Sequence, residues 1–152
     1  MLRERSFNDF ALGDQVITRA RTITEADVVS FAGLSWDFYP LHTDEEYCKT
    51  TRFGTRIAHG PLVYTFAVGI MPIEYFGDGI VAFLGLAELR HLAPVFIGDT
   101  IHVVADVTDT KPSSKASGGT VTMRYSVRNQ TGHEVMTADM RFLMRGEKVA
   151  GS

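Results

Sequence analysis

A chain of 152 residues with 45% hydrophobic and 22% charged side chains fits one compact domain with a substantial core, which excludes a disordered or fibrous protein. The formal net charge of −3 and the lack of any Lys/Arg run give a nucleic-acid or anionic-membrane surface no electrostatic support, so the expected partner is a small molecule. The longest apolar run, Pro61 to Ile73, is 13 residues long and holds Gly69 and Pro72, too short to cross a bilayer.

The amino-terminal stretch MLRERSFNDFALGDQ carries charge with no apolar core of signal-peptide length behind it, so export is not expected. Gln15 to Arg21 reads as a short strand. Thr24 caps the next helix, with Asp27 at the third helical position as a variant capping box, and Val28, Phe31, Ala32 and Ser35 share one face over about three turns. The segment DFYPLH comes next. Asp37 and His42 stand five apart and share no helix face, and Pro40 drives Tyr39 out of the helical region, so the pair can meet only through an irregular loop.

Thr43 and Glu46 repeat the capping pattern ahead of a short helix across Tyr47 to Thr51. The lone Cys48, predicted on the outer face of that helix, excludes an internal disulfide and suits a reducing cytoplasm. In FGTRIAHGP, Gly60 is the expected N-cap and Pro61 the first helical residue, where its missing N–H costs little. The helix beginning there, to about Phe76, is apolar nearly all round, which predicts enclosure inside the protein with Pro72 kinking or ending it.

From Gly79 the hydrophobic period becomes two. Val81 to His91 is an apolar strand. Ile101, Val103, Ala105 and Val107 alternate with mostly polar neighbours, as do Val121 to Val127 and Met136 to Met144. Gly98-Asp99 and Asn129 to Gly132 read as hairpin turns, and Lys111 to Gly119 as a loop. One very apolar helix followed by an antiparallel sheet with one apolar face implies an α+β arrangement, a curled sheet wrapped around a buried central helix, as in the hotdog fold.

The stretches RTITEADVVSFAGLSWDFYPLHTDEEY, FGTRIAHG and APVFIGDT together resemble the MaoC-like dehydratases, the hotdog family that includes the (R)-specific enoyl-CoA hydratases. The specific elements are a D-x-N-P-[LI]-H-x-D loop, matched by Asp37, Pro40, Leu41, His42 and Asp44, and F-G-x-x-I-A-H-G, matched by Phe53, Gly54, Ile57, Ala58, His59 and Gly60. Two departures stand out. Tyr39 replaces the usual asparagine, and Trp36 replaces a small residue before the aspartate; a pocket-facing serine of some relatives corresponds to Val68.

The resemblance implies water addition to a trans-2-enoyl-CoA, giving an (R)-3-hydroxyacyl-CoA, with Asp37 as base, His42 as proton donor and the Gly60 N–H, at a helix start, as donor to the enolate-like oxygen. Trp36, Tyr39, His59, Val63 and Val68 are the expected substrate-side residues, and the bulk of Trp36, Tyr39 and Val68 predicts short or compact acyl groups. Neither metal nor organic cofactor is expected, coenzyme A being part of the substrate, and the resemblance implies a homodimer joined at sheet edges. Thioester hydrolysis and non-catalytic acyl-CoA binding remain as alternatives on the same scaffold. Read on residue types alone, His59 is a side chain fixing the turn before the helix and Asp44 a first-turn helix acid. A metal held by Asp37, His42, Asp44 and His59 has suitable ligand types but no supporting spacing.

Overall fold

The computed structural model describes residues 4–71, 75–114 and 117–147. Strand β1 (Gln15–Ile17) and strand β2 (Arg21–Thr22) precede helix α1 (Glu25–Ser35), the short helices α2 (Pro40–Thr43) and α3 (Glu45–Lys49), and helix α4 (Gly60–Met71). Strands β3 (Ile80–His91), β4 (Thr100–Pro112), β5 (Gly118–Arg128) and β6 (Glu134–Arg145) complete an antiparallel six-stranded sheet in the order β1-β4-β5-β6-β3, with β2 also on β4. The expected first strand is therefore two strands, separated at Thr18 to Ala20.

The period-two pattern sets the core. Val103, Ala105 and Val107 on β4, Val121, Met123, Tyr125 and Val127 on β5, and Met136, Ala138, Met140, Phe142 and Met144 on β6 are all buried, and they share one cluster with Leu62, Val63, Ala67 and Met71 of α4. Removing each of the larger side chains from water stabilises the fold by about 1.5–3 kcal/mol. This is the hotdog arrangement, with the sheet curled round α4. Enclosure of the helix is one-sided, however: Pro61, Thr65 and Gly69, four residues apart, form an exposed stripe. Pro72 and Ile73, expected at the end of this helix, lie outside the described residues.

The capping box of α1 forms as the spacing requires: the Asp27 amide donates to Thr24 Oγ1 at 3.2 Å and the Thr24 amide to Asp27 Oδ2 at 2.9 Å. The second expected box does not form. Asp44, rather than Thr43, caps α3 by accepting from the Tyr47 amide at 2.9 Å, and Thr43 instead closes α2 with its hydroxyl on the carbonyls of Phe38 and Tyr39. Nor is Gly98-Asp99 a hairpin turn. It bends the chain through the Asp99 N–H to Phe96 carbonyl bond, but β3 pairs with β6, so the connection from β3 crosses to the far side of the sheet. Asn129 to Gly132 does join the paired strands β5 and β6.

Candidate active site

Helix α1 ends at Trp36, whose left-handed backbone (φ 65) reverses the chain into the acidic loop. The Asp37 amide donates to Ser35 Oγ, and the Tyr39 amide donates to Asp37 Oδ1 at 3.2 Å, an Asx-type turn that engages one carboxylate oxygen. Tyr39 is extended, as the residue before proline must be, yet Pro40 does not keep the next segment irregular. It is the first residue of α2, where its fixed φ suits a helix start, and that single turn carries His42.

His42 Nδ1 lies 2.8 Å from the Ile57 carbonyl. A carbonyl only accepts, so Nδ1 carries the proton of the neutral ring and Nε2 is left for chemistry. Nε2 stands 4.0 Å from Asp37 Oδ2, with the carboxylate half exposed and the imidazole nearly covered. That separation is too long for a hydrogen bond and short enough for one water to bond to both groups.

His59 underlies the pair. It is fully buried, its Nε2 donates to the Asp37 carbonyl at 2.9 Å, and its ring stacks on His42 with centroids 3.7 Å apart. Burial holds its pKa below the ordinary imidazole value, against the pull of the Asp37 carbonyl, so it is a neutral support. Ligand atoms of Asp37, His42 and His59 lie within 4.8 Å of one another. One nitrogen of each ring is already committed to a backbone carbonyl, His42 Nδ1 to Ile57 and His59 Nε2 to Asp37, and the near-parallel stack does not converge the remaining two on one point as a tetrahedral ion needs.

The RIAH segment is pinned from two sides, by the Ile57 amide on the Leu41 carbonyl and the Ala58 amide on the Val95 carbonyl. It delivers Gly60 to the first turn of α4. Leu62 and Val63 turn their N–H groups back to the His59 carbonyl, Pro61 has none, and among the described residues the Gly60 N–H has no partner. A side chain at Gly60 would also meet the His91 ring, with Nε2 at 2.8 Å from the added Cβ.

A cavity of about 350 Å³ opens between α4 and the ends of the sheet. His42, Gly60, Val63, His91 and Arg52 line it together with the apolar Ala93 to Val95 segment. Of the expected substrate-side residues only Val63 is on this wall. Trp36 is 86% and Tyr39 53% exposed outside it, Val68 packs against the core two turns along α4, and His59 lies behind His42. Cys48 is not on an outer helix face either; it is fully buried, its Sγ facing the carbonyls of Pro40 and Leu41, and burial pushes its pKa up.

The basic residues also separate. Arg56 is tied to Glu25 and Glu45, Arg90 to Glu88 and Lys111 to Asp109, whereas Arg52 lines the cavity and among the described residues has no acidic partner. Lys115 lies outside the described residues. Reading the sequence did not single out His91 as a cavity residue, because it belongs to none of the motif-bearing segments.

A model of the MaoC like domain matches residues 8–130 of this chain. The chain is similar to an (R)-specific enoyl-CoA hydratase of Rhodospirillum rubrum, with 41% identity over 109 residues that cover 72% of this chain and 74% of that protein. A crystal structure described as a monoamine oxidase regulatory protein from Archaeoglobus fulgius superposes with a TM-score of 0.87 at 38% identity, covering 97% of this chain and 99% of the other. A double-hotdog protein of Mycobacterium tuberculosis, 18% identical, shares the fold alone, with a TM-score of 0.84 over 97% of this chain and 46% of its own.

Proposed function

This chain belongs to the MaoC-like domain family and is a hydratase/dehydratase, a carbon–oxygen lyase, and we propose that it interconverts a trans-2-enoyl-CoA and an (R)-3-hydroxyacyl-CoA. The observation that carries the reading is the water-sized gap of 4.0 Å between Asp37 Oδ2 and His42 Nε2, beside a cavity whose wall includes the unengaged Gly60 amide. In hydration, the Asp37 carboxylate takes a proton from the water that attacks C3. His42, as the imidazolium that keeps its Nδ1 proton on the Ile57 carbonyl and carries a second proton on Nε2, gives the Nε2 proton to C2. The proton left on Asp37 returns to Nε2 through the next bound water, which restores both groups.

As C3 is attacked, negative charge grows on the thioester oxygen. The Gly60 N–H, at the positive end of the α4 dipole, is placed to accept that charge without reorganising. No step calls for a metal or an organic cofactor; coenzyme A enters only as the ester it forms, and unpaired Arg52 is the cavity's cation for one of its phosphates. Among the described residues no helix is long and apolar enough to cross a membrane, and a cytoplasmic acyl-CoA pool suits the reaction.

The assembly proposed is a homodimer through β3. This strand pairs only with β6, leaving its other edge open, and it exposes Val81, Leu84 and Leu89 along that margin. Light scattering would show twice the chain mass.

The test of function is loss of enoyl absorbance when the purified protein meets crotonyl-CoA. Asp37→Asn and His42→Ala should each lower turnover by about 10²–10⁴ with unchanged circular dichroism. Full activity in either variant would remove the mechanism, and release of free thiol without loss of absorbance would make the protein a thioesterase.

A further inference from the structure

We propose that His91 is a second hydrogen-bond donor to the thioester carbonyl oxygen, acting beside the Gly60 N–H. The proposal rests on the acyl-CoA reading above and adds to it a residue outside the motif-bearing segments.

A defect in β3 aims this side chain. Leu86 pairs with Met140 and Ala87 with Asp139, but the next pairs are Arg90 with Thr137 and His91 with Met136. Three steps along β3 are matched by two along β6, so one extra residue sits between Ala87 and Arg90. Glu88, at φ 49, takes the left-handed conformation that absorbs it. Without that residue Arg90 would oppose Met136. With it, His91 joins the face that carries Met136, Met140 and Phe142, while Arg90 turns to the other face and pairs with Glu88. A non-glycine residue in this conformation costs about 1–3 kcal/mol, and such strain gathers at functional sites.

The His91 ring lies with its face over Gly60: Nε2, Cε1 and Cδ2 are 2.8, 2.9 and 3.2 Å from the point a Cβ on Gly60 would occupy. A residue's own N and Cβ are held about 2.5 Å apart, so the Gly60 amide and His91 Nε2 are no more than about 5 Å from each other, close enough for one oxygen to accept from both. Among the described residues neither ring nitrogen of His91 has a hydrogen-bond partner, although the neighbouring wall of Leu92 to Val95 is apolar. His91 is exposed as a residue, and partial desolvation of its ring lowers its pKa below the ordinary imidazole value, which favours the neutral form that keeps one N–H to donate. Two donors on one developing oxyanion stabilise it more than the substrate carbonyl, which is the condition for raising turnover.

The test compares His91→Phe, which keeps the ring and removes the donor, with His91→Gln, which keeps an N–H at similar reach. In hydration of crotonyl-CoA, His91→Phe should lower kcat by about 10² while KM moves less than about threefold, and His91→Gln should stay within about tenfold of the unmodified protein. A second readout needs no turnover: infrared spectroscopy of bound butyryl-CoA labelled with ¹³C at the thioester carbonyl. The carbonyl band should move to lower frequency on binding, with part of that shift lost in His91→Phe and kept in His91→Gln. Equal kcat and equal band shift in the unmodified protein and His91→Phe would overturn the proposal. If butyryl-CoA binds with the His91-dependent shift but no enoyl-CoA is hydrated, the reaction assignment fails and the donor stands. If butyryl-CoA does not bind at millimolar concentration, both fail.

Discussion

Strands β5 and β3 flank β6 on opposite sides and obey different rules. β5 holds one register against β6 from Gly118 opposite Arg145 to Val127 opposite Met136, and Val121, Met123, Tyr125 and Val127 are all fully buried. β3 shifts register three times against the same partner and leaves Val81, Leu84 and Leu89 in solvent. The contrast teaches that regular pairing holds the core, whereas interrupted pairing frees side chains for a cavity on one face and leaves apolar ones open along the edge. Each shift weakens the ladder locally and re-aims the side chains beyond it.

The largest effect should come from the regular side. Met123→Ala empties a fully buried position and should cost about 2–5 kcal/mol in urea unfolding; a loss below about 1 kcal/mol would erase the distinction between the strands. Next is the point where the irregular strand touches α4. Gly60→Ala puts a methyl group against the His91 ring and should cost about 1–3 kcal/mol by overpacking, and adding His91→Ala should recover most of that stability. An equal loss in the double variant would mean that His91 is not what keeps this position a glycine.

Acidity probes both walls at once. His59 and His91 each have a pKa lowered by burial, so the unfolded chain binds more protons than the folded one below the ordinary imidazole value of about 6.5. The contribution of fully buried His59 is complete above that pH and is lost as pH falls through its folded value, at up to about 1.4 kcal/mol per pH unit, whereas solvent screens that of exposed His91. Thermal melting between pH 7.5 and 5 should show the decline, with a shallower slope in His59→Gln; an unchanged slope would assign the acid sensitivity elsewhere. The smallest effect on the fold is expected at the open edge. Leu84→Ser should change the stability of the separated protomer by no more than about 0.5 kcal/mol, yet lower its tendency to pair in sedimentation. A large loss in the separated protomer would show that β3 shares the core's work after all.

The legible parts are those where one local rule acts alone. Thr24 and Asp27 form their capping box because nothing competes for those side chains, and β4, β5 and β6 follow their alternation because one face of each meets α4. The meeting of Asp37 and His42 was legible from the motif. How they meet was not, since Pro40 has two meanings, a bar to helix behind it and a good helix start ahead of it, and both operate here. Thr43 was the expected cap and Asp44 a first-turn acid; the chain uses Asp44 as the cap because Thr43 is still within α2. His91 stayed hidden for a different reason. Two register shifts, one between Phe83 and Gly85 and one between Ala87 and Arg90, decide which side chains of β3 face inward, and only pairing with β6 reveals them.

The burial of Cys48 has a practical corollary. As the sole thiol in the chain, and with its sulfur closed under the Pro40 and Leu41 carbonyls, it can meet an alkylating reagent only when α3 lifts away from the turn that carries His42. Its labelling rate is then the product of an opening equilibrium and a known intrinsic rate, a clock for breathing beside the Asp37 and His42 pair. A ligand that braces the turn slows that clock, so binding can be followed through a sulfur atom that never touches the ligand.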